Sequence, residues 1–186
     1  MSSILEQPRY FVALIPPEPY FTEALALKQE VRNRFNSKAA LRSPPHITLQ
    51  MPFRFKEKKE TKIFEVLSSF TSHFRSSELI QEGFGFFEPR VVFINVEKSA
   101  ELEHMQKALL RHLRKTLNIE SSDYKNRGFH PHMTIAFRDL KKEAFYEARE
   151  YYASKVLNWS WMTTELALLK HNEKFWEILK TFPFQI

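Results

Sequence analysis

Two segments of this chain repeat one pattern: an apolar flank, a histidine, any residue, a threonine, and an apolar residue again. They are PPHITLQMPF at 44–53 and GFHPHMTIAF at 128–137. In an extended strand, side chains two positions apart share a face. His46 and Thr48 therefore lie together, as do His132 and Thr134, while Ile47, Leu49, Met133 and Ile135 turn to the opposite side. Each pattern asks for a strand with a core on one face and open space on the other. A single His-x-Thr is usually a surface pair. Two of them, each following a proline, require a fold with two equivalent places to hold them.

The segments around the two patterns are also similar in kind. RYFVALI (9–15) is a compact apolar run stopped by Pro16 and Pro17, which predicts a buried strand. Tyr20, Ala24, Leu27, Val31 and Phe35 then recur at helical spacing, and HITLQM (46–51) alternates as a strand that Pro52 should end or bulge. Ile63, Leu67, Phe70 and Phe74 mark a second helix. LIQEGFGFF and RVVFINV read as two strands joined at Glu88-Pro89. Leu102, Met105, Leu109 and Leu113 define a third helix, with His104, Lys107, Arg111 and Arg114 on its wet face. After the second pattern come a helix on Phe145, Ala148 and Tyr152 and a closing hairpin that turns at His171-Asn172. Each half thus brings one helix-flanked His-x-Thr strand before a hairpin. This predicts an α+β fold: two pseudo-symmetric lobes of antiparallel sheet flanked by helices, with a central cleft, forming one bilobed domain over residues 1–186.

Composition narrows the chemistry. The 186 residues are 43% hydrophobic, enough to bury a core, and the net charge of +6 is spread without a basic tail. That suits an anionic ligand met through a modest field rather than tight duplex binding. Cysteine is absent, which removes disulfides and thiolate chemistry and fits a reducing compartment. MSSILEQPRYFVALIPP has neither a basic start nor a long apolar run, so a cytoplasmic location without membrane association is expected, and nothing requires more than a monomer. The three glycines cannot form a phosphate-binding loop of the Walker or dinucleotide kind. With only Asp123 and Asp139 as aspartates, a two-metal phosphoesterase is disfavoured.

Two histidines on opposite sides of a phosphorus can drive in-line displacement with no cofactor and no metal. A neutral imidazole takes a proton from the attacking oxygen, a protonated one gives a proton to the leaving oxygen, and threonine hydroxyls donate to the phosphoryl oxygens. His130 shares strand parity with His132 and is a candidate to contact the substrate, although Pro131 between them can bulge the strand and turn it away. Arg138 and Arg54 also lie at even offsets and are candidates to bind phosphate. Phe11, Phe53 and Phe129 are candidates to stack a base, with a core role as the simpler reading. His73, His104, His112 and His171 read as surface residues. One alternative is zinc held by His130, His132 and His46, but it leaves the threonines without a task.

The tetrads His46-Ile47-Thr48-Leu49 and His132-Met133-Thr134-Ile135 resemble the paired motifs of the 2H phosphoesterase superfamily. The opening RYFVALIPP and the closing hairpin are similar to its RNA 2′,3′-cyclic phosphodiesterase (2′-5′ RNA ligase-like) branch. The resemblance implies a bilobed α+β fold and metal-independent chemistry at cyclic or 2′-linked phosphates. It implies that His46 and His132 are catalytic and that Thr48 and Thr134 bind phosphate, without saying which histidine is the base. His130 and the segment QMPFRF depart from the family pattern. The expected activity is hydrolysis of a nucleoside or RNA-terminal 2′,3′-cyclic phosphate to a 2′-phosphate, with an RNA end or nucleotide as partner. The alternatives are 2′-5′ RNA ligation and a binding protein that uses the same pocket without turnover.

Overall fold

A computed structural model of the chain describes residues 7–120 and 128–185. The opening MSSILE and Asp123 lie outside them. The strands are β1 (Arg9–Leu14), β2 (Ile47–Arg54), β3 (Glu78–Glu82), β4 (Phe84–Phe87), β5 (Val91–Asn95), β6 (His132–Ala136), β7 (Asn158–Met162), β8 (Glu165–His171) and β9 (Trp176–Pro183). The helices are α1 (Tyr20–Phe35), α2 (Glu60–Thr71), α3 (Ala100–Leu117) and α4 (Lys142–Ala153). Among the described residues, no helix is long and apolar enough to cross a membrane.

One lobe is the antiparallel sheet β2-β1-β8-β9; the other combines the sheet β4-β5-β6 with the pair β3-β7. The run LIQEGFGFF, expected as one strand, is two. Gly83 breaks it at φ +62°, a conformation that costs a residue without Cβ little, so the first part pairs with β7 and the second with β5. Sequence patterning passed over β7, NWSWM, because only Trp161 in it is fully buried and no apolar row marks a core face.

Each motif strand has a crossover helix that packs on the other lobe. α1, which connects β1 to β2, lies against β6 and α4; α3, which connects β5 to β6, lies against β2 and α2. Half-buried polar contacts reinforce the α1–α4 seam, where Glu30 accepts from the hydroxyls of Tyr151 (2.6 Å) and Tyr152 (2.9 Å) and from Nζ of Lys155, just past α4 (3.1 Å). Ser99 caps α3 by accepting from the Leu102 amide at 3.1 Å, and Glu101 and Glu103 in the first turn suit the helix dipole. The core runs unbroken from Val12 and Leu14 through Ile47 and Leu49 to Ile94, Met133 and Ile135, all fully buried. β2 and β6 come into contact at the centre of this core, so the two motif strands lie side by side.

Both motif strands carry the same irregularity. Thr48 pairs with Ala13 but Gln50 pairs with Val12, leaving Leu49 as an extra residue. Thr134 pairs with Phe93 but Ala136 pairs with Val92, leaving Ile135 extra. A bulge thus follows each threonine and re-aims the strand. A second register shift in β2 falls at Met51 and Pro52, as the proline leads one to expect, and the strand then continues to Arg54.

Candidate active site

The two histidines are held in the same way. His46 Nδ1 lies 2.7 Å from the Pro44 carbonyl, and His132 Nδ1 lies 2.7 Å from the His130 carbonyl. A carbonyl only accepts, so each Nδ1 carries the proton, and in the neutral ring each Nε2 presents a lone pair. Neither Nε2 has a hydrogen-bond partner among the described residues. The hydroxyls of Thr48 and Thr134, half-buried beside them, likewise have no protein partner there. The site therefore offers two oriented bases and two free donors.

Rings form the floor on both sides. In the first lobe the His46 ring packs on Phe11 at 4.8 Å, with Phe11 edge-on to Trp176 at 4.7 Å. In the second, the His132 ring packs on Phe93 at 5.0 Å and Phe87 at 5.2 Å. Gly85 makes that floor possible, since a Cβ there would sit 2.3 Å from the Phe93 ring and 2.4 Å from Asn95 Oδ1. Apolar surroundings disfavour the charged imidazole. Burial pushes His46 down to about 3, and the charges of Lys28 and His132 add to this against the opposing pull of the Pro44 carbonyl. Burial also holds His132 below the ordinary imidazole range, with the His130 carbonyl working against it and the His130 ring adding to it. The contact between β2 and β6 brings the two motifs into one electrostatic environment.

The segment leading to His46 is tied down from two directions. Lys28, on the buried face of α1, donates from Nζ to the carbonyls of Ala40 (3.1 Å), Ser43 (3.0 Å) and Pro44 (3.2 Å). The Pro44 oxygen that receives Lys28 is the one that fixes the His46 ring. Asp139, just past β6, accepts from Ser37 Oγ (2.7 Å) and from the amides of Lys38 (2.9 Å) and Ala39 (3.0 Å). Lys28 was legible only as a lysine set between Ala24 and Val31 on an apolar face; Asp139 gave no signal.

Other candidates fall differently. His130 is exposed, and its ring lies 5.2 Å from Phe87 and 6.1 Å from the His132 ring, so it borders the same floor. The zinc alternative needs His130, His132 and His46 as one ligand set, and no such group of three forms among the described residues. The parity argument for Arg138 fails, because Ile135 bulges and the strand ends at Ala136, leaving Arg138 exposed at φ +62°. It nevertheless lies close enough to His171 to act on that ring's charge. Arg54 donates to the Gln7 carbonyl at 3.2 Å, at the far end of β2 from His46. Phe53 and Phe129 are buried in the main core and cannot stack a base, while Phe11 lies beneath His46.

Of the four histidines read as surface residues, His73 and His104 are exposed. His112 is half-buried against Phe70, with Nε2 unpartnered. His171 is also half-buried, bonded to Arg9 and packed on Trp176. A cavity lined by Glu78, Glu97 and Glu101 lies elsewhere on the surface, and its carboxylates suit no anion.

Residues 16–174 match the family described as the 2′-5′ RNA ligase superfamily. No curated protein sequence matches. Among solved structures, TT0787 of Thermus thermophilus is similar with a TM-score of 0.68 and 18% identity, covering 95% of this chain and 97% of that one. E. coli LigT in its apo form is similar with a TM-score of 0.68 and 19% identity, covering 97% of this chain and 99% of that one. The MHV ns2 PDE domain is more distant, with a TM-score of 0.56 and 13% identity over 88% of this chain and 100% of that one. At such identities these likenesses establish the α+β fold.

Proposed function

The chain belongs to the 2′-5′ RNA ligase superfamily, and from that premise we propose that it is a metal-independent phosphodiesterase opening a nucleoside or RNA-terminal 2′,3′-cyclic phosphate to a 2′-phosphate. The observation that carries the reading is the duplicated clamp. Two imidazoles, each fixed at Nδ1 by the carbonyl two residues before it, leave Nε2 free beside an unpartnered threonine hydroxyl. Structures of E. coli LigT with 3′-AMP, phosphate and ATP support a nucleotide ligand for a fold of this kind.

In this reading water attacks phosphorus in line with the ribose 3′ oxygen. The neutral histidine accepts the water proton at Nε2 as the P–O bond to water forms. The protonated one delivers its proton to the 3′ oxygen as that P–O bond breaks, leaving the phosphate on the 2′ oxygen. Thr48 and Thr134 donate to the non-bridging oxygens, where charge builds. Burial lowers proton affinity at both rings, most strongly at His46, which favours His46 as the proton acceptor and His132 as the proton donor. In this reading His46 is the base and His132 the acid, and Arg138 and His130 contact the substrate at the rim.

Replacing His46 or His132 by alanine is expected to lower turnover of a 2′,3′-cyclic nucleotide by about 10²–10⁴ each, while circular dichroism stays unchanged. Chelator is expected to leave the rate unaltered. Normal turnover in either variant sinks the assignment. The superfamily's name favours ligation as the second reading, in which a ribose hydroxyl replaces water; incubating RNA halves with matching ends and looking for joined product separates the two.

A further inference from the structure

His171 ends β8 on the face of the first sheet that carries Phe11, and Arg9 begins β1 beside it. Arg9 Nη2 lies 3.0 Å from His171 Nδ1, and its guanidinium stands 5.4 Å from the centre of the Trp176 ring. Trp176 packs on His171 at 4.8 Å and on Phe11 at 4.7 Å, and Phe11 carries His46 at 4.8 Å. A continuous run of rings therefore leads from the candidate base to a basic group on the same face.

Two basic side chains thus meet beside the Trp176 ring. Burial lowers the proton affinity of the His171 ring, and the positive charges of Arg9, Arg138 and Arg42 lower it further, with Glu173 opposing them least. Among the described residues, none of these three arginines meets a carboxylate at salt-bridge distance. On the opposite face of the same strand, Lys170 meets both Glu57 (2.6 Å) and Glu60 (2.8 Å). The pairing that the fold supplies on one side is withheld on the other. A guanidinium with no carboxylate partner, beside an aromatic face, is suited to an oxyanion held by a fork of N–H donors.

We propose that Arg9 and His171, beside Trp176, form a second phosphate subsite, taking a phosphate of the substrate other than the reacting one. That phosphate is the internucleotide linkage of an RNA end or the 5′-phosphate of a mononucleotide. The inference deepens the phosphodiesterase reading and rests on it for the placement of the reacting phosphate.

Three substrates test it: adenosine 2′,3′-cyclic phosphate, its 5′-phosphorylated form, and an adenylyl dinucleotide ending in the cyclic phosphate. The wild-type protein is expected to turn over at least one two-phosphate substrate with kcat/KM about tenfold above the one-phosphate compound. Whichever substrate gains identifies the source of the phosphate. The variant Arg9→Gln is expected to abolish that gain and to change kcat/KM for the one-phosphate compound less than about twofold. Equal kcat/KM for all three in the wild type overturns the proposal, as does an equal fall for all three in the variant. If no substrate is turned over, the phosphodiesterase reading fails and equilibrium binding decides the subsite. Tighter binding of adenosine 2′,5′-bisphosphate than of adenosine 2′-phosphate, lost in the Arg9→Gln variant, then sustains the subsite; equal affinities overturn it.

Discussion

Lys28 holds a charge where charge is costly, with only 1% of its surface exposed. Burial pulls its ammonium down to about 7, and three carbonyl acceptors replace the lost water. One acceptor, the Pro44 oxygen, also fixes the His46 ring, so the lysine holds the segment that orients the imidazole. Lys28→Met is expected to cost about 2–4 kcal/mol by urea denaturation, because buried acceptors lose their donor. It is also expected to lower kcat/KM by at least about tenfold, as His46 loses a fixed orientation. A less stable variant with unaltered kcat/KM sinks the positioning role. The pH profile belongs to this scale too. Both histidines are held below the ordinary range, so the free enzyme keeps one proton on the pair only below about pH 6.5. Since kcat/KM reports the free enzyme, it is expected to peak on the acid side of pH 6.5 and to fall about tenfold per unit above its basic limb. A rate flat from pH 6 to 9 contradicts the two-histidine mechanism.

Periodicity made β1 and the helices legible, since their apolar rows face one core, and the His-x-Thr strands declared themselves by alternation. The two bulges did not, because a bulge belongs to a pair of strands and leaves no mark in one. The Leu49 bulge is accommodated from another element: its carbonyl accepts from Gln106 Nε2 of α3 at 3.4 Å. The same hidden register defeated the even-offset placement of Arg138. β4 and β5 depend on a small residue in a comparable way. Gly85 faces Phe93 across the pair, whereas Ala167 faces Ala13 in the first lobe, where two small residues share the space. In Gly85→Ala the new methyl meets the Phe93 ring, which supports His132 and pairs with Thr134. The expected result is a loss of about 1–3 kcal/mol and reduced kcat, both partly recovered by adding Phe93→Leu. Wild-type stability and rate in the single variant rule out this account of the floor.

At the scale of the whole molecule, the two halves must keep their histidines in register, and the exchanged helices α1 and α3 do most of this through packing. Asp139 adds a polar tie from the end of one motif strand to the segment that precedes the other. Burial works against its charge, but the bonds from Ser37, Lys38 and Ala39 outweigh it and hold the carboxyl below the usual range. A carboxyl depressed on folding stabilises above its unfolded value near 3.9 and loses that contribution as pH falls through the folded value. Asp139→Asn keeps the size and removes the charge. Because the residue remains partly in water, the expected cost at pH 7 is only about 1 kcal/mol by urea denaturation. That gap should narrow from about pH 5 downward as the wild-type carboxyl takes up its proton. A tie that sets the distance between the two motifs should also act on the reaction, lowering kcat more than it raises KM. A stability gap that stays constant from pH 7 to pH 3, together with an unchanged kcat, means that Asp139 does not couple the two halves.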